Sequence, residues 1–207
     1  MKYLYGRALS FAQDTQAQTL DLITQAAEAG YPAARRVLSD IYATGSLGGK
    51  ADPAAQLKWL QLAAQGGDPL AVKALGVWRF NTARTDEEAR EGLRLQTLAA
   101  DAGLPEANLE LARFALGISP RYAALDLKQA LYRLFVCANG YAELGDSAAA
   151  LRCRGRALQI EAKLGAEDAV AAWRMARDFR PTPIAAQPTL IASADPDRRP
   201  LARAIKP

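Results

Sequence analysis

Three stretches of this chain are near-copies of one another. Ala26-Ala27 through Gly30-Tyr31-Pro32, Ala34, Leu38 and Ile41 recurs as Ala63-Ala64 through Gly67-Asp68-Pro69, Ala71, Leu75 and Trp78. It recurs again as Ala99-Ala100 through Gly103-Leu104-Pro105, Ala107, Leu111 and Phe114. The prolines stand 37 and 36 residues apart. A period of that size is one pair of helices, which cannot bury its apolar face alone and must stack on a neighbour. Each glycine follows an Ala-rich amphipathic run, where a helix end turns left-handed without a Cβ penalty. Each proline comes two residues later, at a first helical position where its missing N–H is not needed. Asp52-Pro53 and Thr85-Asp86-Glu87-Glu88 begin the intervening helices, with acidic groups facing the positive end of the helix dipole.

Counted from each proline, positions +2, +6 and +9 are Ala34, Leu38, Ile41; Ala71, Leu75, Trp78; and Ala107, Leu111, Phe114. They share one helical face and are expected to be buried. Position +7 is Ser39, Gly76 or Ala112, always small, which lets a partner helix approach closely. The predicted helical hairpins run from about residue 3 to about 179, and Tyr3 to Ala8 reads as the end of a half-repeat's first helix. Half of the residues are hydrophobic and only 7% are aromatic, an Ala-rich balance that favours close-packed helices. No sustained period-two run suggests a strand.

The net charge is +4, and half of that excess lies in residues 181 to 207. Acids and bases are mixed along the helices, which is a solvated face and not the clustered cations of a nucleic-acid surface. The first residues lack the apolar core of a signal peptide, and no apolar run is long enough to span a membrane. As given, the chain reads as cytoplasmic, with export open if a segment precedes it. After Arg180 the composition changes: six of the eleven prolines fall in the last 27 residues. This predicts a helical domain over 1–180 and an extended or disordered tail over 181–207.

The segment Leu38-Ser39-Asp40-Ile41-Tyr42-Ala43-Thr44-Gly45, Asp52, Ala55, Trp59-Leu60 and Ala63-Ala64-Gln65-Gly66 closely resembles a Sel1-like repeat, a relative of the tetratricopeptide repeat. The second copy departs from it in a shortened connection, Phe80 to Thr85. The third departs in offering Ser119-Pro120-Arg121 where an aspartate-led helix start is usual. Farther on, Cys137, Ala138, Tyr141, Leu144-Gly145-Asp146, Ala150-Leu151, Ala157-Leu158 and Ile160 resemble a tetratricopeptide unit, with Gly165, Ala169 and Trp173 leading a capping helix. The resemblance implies an all-α fold, a right-handed α-solenoid of stacked antiparallel helix pairs. It also implies protein–protein interaction as the role. Some exported Sel1-like proteins carry a cysteine pair in every hairpin, a pattern this chain lacks.

Catalytic constellations find little support. There is no histidine, so no triad or dyad built on imidazole exists. Glu87-Glu88 and Glu167-Asp168 sit at helix starts, where the dipole explains them. Cys137 and Cys153, expected on the two helices of one hairpin at buried positions, read as small hydrophobes in preference to redox thiols. Two cysteines do not make a metal site, and no cofactor is implied. Gly48-Gly49-Lys50 lacks the strand and the Gly-Lys-Ser/Thr of a phosphate loop and fits the variable loop of a Sel1-like repeat. The aromatics Tyr42, Trp59, Trp78, Phe80, Phe114, Tyr141 and Trp173 read as core and not as a ligand cage.

If first helices line the inner surface, as in related arrays, positions +4 and +8 form an exposed stripe: Arg36 and Asp40, Lys73 and Val77, Leu109 and Arg113. Cations mixed with apolar groups suit an acidic peptide or protein partner, against the plainer reading of a solvated face. The expectation is therefore a non-enzymatic interaction scaffold or adaptor. A dedicated regulatory or inhibitory partner of one enzyme or effector is the alternative, with an enzyme third. The N-terminal half-repeat leaves an apolar face open, consistent with self-association or with a missing upstream segment.

Overall fold

The computed structural model describes residues 16–47, 50–117 and 126–184. Along these residues run α1 (Gln16–Glu28), α2 (Pro32–Thr44), α3 (Pro53–Gln65), α4 (Pro69–Thr82), α5 (Asp86–Asp101), α6 (Pro105–Ala115), α7 (Leu127–Glu143), α8 (Ser147–Glu161) and α9 (Ala166–Asp178). No strand occurs among the described residues. They fall into two compact units, one through Leu95 and the other from Gln96 to Pro183, so that α5 contributes residues to each. The expected half-repeat at Tyr3 to Ala8 lies outside the described residues.

The turns follow the sequence argument. Gly30, Gly67 and Gly103 have φ of 95°, 83° and 90°, and Pro32, Pro69 and Pro105 open α2, α4 and α6. In the first unit Ile23, Ala26, Ala27, Ala34, Leu38 and Ile41 form a core, with Tyr42 and Trp59 packed against it. Arg35 ties two helix ends: its Nε donates to the Ala27 carbonyl (3.0 Å) and its Nη1 to that of Leu62 (3.3 Å). These carbonyls lie near helix C-termini, where each also accepts a backbone N–H, Ala27 from Gly30 (3.1 Å) and Leu62 from Gly66 (3.2 Å). The small +7 positions are all buried. Ser39 uses its hydroxyl to donate to the Gln56 carbonyl on α3 (2.9 Å). Gly76 faces Gly92 so closely that a Cβ on Gly92 would lie 2.5 Å from the Phe80 nitrogen and 2.8 Å from the Gly76 oxygen.

The +2, +6, +9 rule holds fully in the first copy only. Trp78, Leu111 and Phe114 are half-buried, because rings as large as Trp78 and Phe114 reach beyond the helix contact into its rim.

In the second unit Ala112, Leu131, Leu134, Ala157, Ile160, Ala169 and Ala172 form the core. The third copy does have an aspartate-led second helix. It begins at Asp126, whose carboxylate accepts from the Gln129 N–H (2.9 Å); Ser119-Pro120-Arg121 lies outside the described residues. The Asp126 N–H donates to the Ala115 carbonyl (2.7 Å), as the Asp52 N–H donates to Tyr42 (2.9 Å). Helix α7 is therefore the second helix of the third copy, and α8 opens the next.

Cys137 and Cys153 are buried as expected, but they are bonded as a disulfide with Cα atoms 6.3 Å apart. The free-thiol reading gives way because α7 and α8 run antiparallel from a tight turn and bring the two sulfurs together. The few described residues after α9 lie against the helices. Phe179 meets Tyr132 edge-on at 6.5 Å, the Thr182 N–H donates to the Asp101 carbonyl (2.8 Å), and Pro181 seats over Gly103, 3.1 Å from where a Cβ would be. Residues 185–207 lie outside the described residues.

Candidate interaction surface

The stripe residues are placed by α2 and α4 in the first unit and by α6 in the second. On α2, Arg36 is more a clip than a contact. It lies 3.3 Å from Asp68 and 3.5 Å from Asp40, and its side chain is 24% exposed. Asp68 in turn caps α4 by accepting from the Ala71 N–H (2.8 Å). One carboxylate thus satisfies an orphan donor and pairs with the neighbouring first helix. Partial burial raises the Asp40 carboxyl above its ordinary value, against the opposing pull of Arg36. Asp40 nevertheless points its carboxylate outward. Lys73 and Val77, one turn apart on α4, are half-buried, and Lys73 makes no ion pair among the described residues.

In the second unit, Leu109 is not on an open stripe. It is half-buried and packs on the main core and on the Cys137–Cys153 cluster, because α7 covers that side of α6. Arg113 is exposed and pairs with Glu110 on its own helix (3.2 Å). Of the stripe candidates, Asp40 is exposed and Lys73 and Val77 half-buried in the first unit, Arg113 is exposed in the second, and Arg36 holds the frame.

Counting from the start of α8 at Ser147, the +4 and +8 positions are Leu151 and Gly155, and both are exposed. Sequence reading missed them because it framed α7 and α8 as one hairpin. The available signal was Asp126, which follows Pro105 by 21 residues much as Asp52 follows Pro32 by 20.

The other candidates resolve into structure. Glu88 accepts from the Arg84 N–H (2.8 Å) while Thr85 accepts from the Glu88 N–H (3.2 Å), an N-terminal cap. Glu87 pairs with Arg90, and Asp168 with Lys128. Tyr42 and Trp59 pack on the first core and Tyr141 on the cysteine pair. Trp173 departs from the core expectation: it is exposed, with Arg177 over its ring at 5.3 Å. No group of His, Cys, Asp and Glu among the described residues could hold a metal. No described helix is long and apolar enough to cross a membrane. The Gly48-Gly49 pair lies outside the described residues.

No protein-family model matches the chain, and no curated protein matches it. Several solved chains are similar, among them two Sel1-type structures. One is a Sel1 repeat protein from Oxalobacter formigenes, with a TM-score of 0.50 and 25% identity over 92% of this chain and 58% of that one. The other is c5321, a protective antigen present in uropathogenic Escherichia coli strains and displaying an SLR fold, with a TM-score of 0.52 and 18% identity over 86% of this chain and 44% of that one. The chain thus spans about half the length of the solved proteins it matches.

Proposed function

From the premise that this chain has the α-solenoid fold of Sel1-like repeat proteins, we propose that it is a protein-interaction scaffold or adaptor. It engages a partner through the outward positions of its first helices. The observation that carries this reading is the contrast between inward and outward positions. The inward ones repeat as Ala, Leu and small residues, while the outward ones differ from copy to copy: Asp40, Val77, Arg113 and Gly155. Repetition serves stacking, and variation on a rigid frame serves recognition. Lys73, without an ion pair among the described residues, and exposed Arg113 favour a partner with carboxylates.

A buried disulfide persists where the surroundings are oxidising, so Cys137–Cys153 favours such a compartment over the cytoplasm.

The test is affinity co-purification from native cells followed by mass spectrometry, comparing wild type with Lys73→Glu/Arg113→Glu. Arg36 is left intact, since reversing it would disturb the Asp68 cap. A protein recovered in stoichiometric amount with wild type and lost with the variant supports the reading. An identical set of recovered proteins overturns it. A single tight complex, in place of several weak ones, would mark the dedicated-inhibitor alternative.

A further inference from the structure

Helix α8 has two apolar faces. One is the core face, carrying Ala149, Ala150, Cys153, Ala157 and Ile160. On the opposite side lie Ala148, Leu151, Gly155, Leu158 and Ala162, spaced alternately by three and four residues, and all are exposed. Leu151 is 65% and Leu158 64% exposed. A three-four spacing is the seam by which one helix packs along another. In the first unit the exposed large hydrophobics are Tyr31 and Leu70 alone among the described residues, whereas residues 144–175 hold six.

The centre of the seam is shaped for close approach. A Cβ on Gly155 would meet nothing within 4 Å, and glycine there weakens the helix relative to alanine. No contact among the described residues accounts for it. Arg152 and Arg154 flank the seam on opposite sides, with Arg156 beyond Arg152. All three are exposed and make no ion pair among the described residues. The flanks carry Arg152, Arg154 and Arg156 against Glu161, an excess of positive charge that favours an incoming helix of the other sign.

We infer that the outer face of α8 is a docking seam for an acidic amphipathic helix of a partner protein, packing on Leu151 and Leu158 across Gly155, with its carboxylates on Arg152 and Arg154. This deepens the scaffold reading and rests on it, by naming a surface and an occupant.

The probe is a synthetic helical peptide of about three heptads with Leu and Ala on the seam and Glu on the flanks, beside its Lys-flanked counterpart. Both are titrated against the full chain by fluorescence anisotropy. The Glu peptide should bind at least about tenfold more tightly than the Lys peptide and weaken with salt. Leu151→Ser/Leu158→Ser should remove at least about tenfold of that affinity. Gly155→Gln places its side chain in open space and improves helix propensity, so it should lower peptide affinity with the fold intact by circular dichroism. Equal binding of the two peptides, or full affinity in the Gly155→Gln variant, overturns the proposal. So does a wild-type dimer that Leu151→Ser/Leu158→Ser turns into a monomer by sedimentation, since a second copy would then be the occupant. Loss of this proposal, with a cellular partner still captured through Lys73 and Arg113, would leave the scaffold reading standing.

Discussion

Helices α3 and α7 occupy the same place in their copies, and the contrast between them separates frame from attachment. Both begin at a capping aspartate, Asp52 or Asp126. Both bury the same four positions: Leu57 or Leu131, Leu60 or Leu134, Ala63 or Cys137, and Ala64 or Ala138. Both bring a glycine against a proline, Gly66 on Pro32 and Gly140 on Pro105, where a Cβ would lie 2.6 Å or 2.8 Å from the ring. The side positions differ. Trp59 of α3 packs on the apolar core. Its counterpart Arg133 donates to Asp101 (2.8 Å) and Asn108 (3.1 Å), and Asn108, fully buried, donates in turn to the Ala100 and Leu104 carbonyls. Where α3 has Ala63, α7 has a cysteine bonded to α8. At these side positions one backbone frame is thus supplemented by an apolar contact on α3 and by covalent and ionic ties on α7.

The most direct way to break that contrast is Cys153→Ala. The disulfide closes a loop with a sequence separation of 16, for which loop entropy predicts a loss of about 3 kcal/mol. Hydrogen exchange should report it in α7 and α8 and not in α2 or α3. An equal loss of protection in both units would mean that the two are not held independently.

Arg133→Met should cost about 2 kcal/mol, mostly because the buried Asn108 oxygen loses its donor. Denaturant unfolding of Arg133→Met/Asn108→Leu should recover part of that cost. If the double variant is no better than the single one, the network is not the source.

The first unit has an ionic tie of its own, from the buried Arg79 of α4 to Glu91 of α5 (3.3 Å). The hydrogen bond from Arg94 holds the Glu91 carboxyl below its ordinary value, outweighing burial. A depressed carboxylate contributes stability that is complete above its ordinary value near 4.5 and is lost as pH falls through the lower folded value. With Glu91 a third exposed, screening keeps the effect to about 1 kcal/mol. Glu91→Gln should flatten the acid limb of a stability–pH profile by that amount, and an unchanged limb would assign the acid sensitivity elsewhere.

Smallest and most alike should be Asp52→Ala and Asp126→Ala, at about 1 kcal/mol each or less in thermal unfolding. Similar losses would sharpen the view that the frame is common to both helices. A much larger loss at Asp126 would show that the third copy depends on its start as the first does not.

Much of the frame was legible in the chain. The Gly-x-Pro turns, the inward Ala and Leu positions and the small +7 residues come from helical period and backbone sterics, which act within a few residues. The candidate surface was legible in part. Lys73, Asp40 and Arg113 could be counted off from the prolines. Leu109 could not be told from an exposed residue, because its burial depends on α7. Leu151 and Gly155 were hidden by a frame that only Asp126 corrects.

By itself, then, the sequence determined where helices begin, turn and bury their near-identical faces, because those choices rest on local conformation and on period. Tertiary structure decided what the unlike positions do: that Arg36 secures a cap, that two cysteines meet, that Pro181 and Thr182 dock, and that α8 leaves a second apolar face in water. Those outcomes depend on which distant residue arrives within bonding reach, and a repeat that looks alike along the chain does not state its neighbours in space.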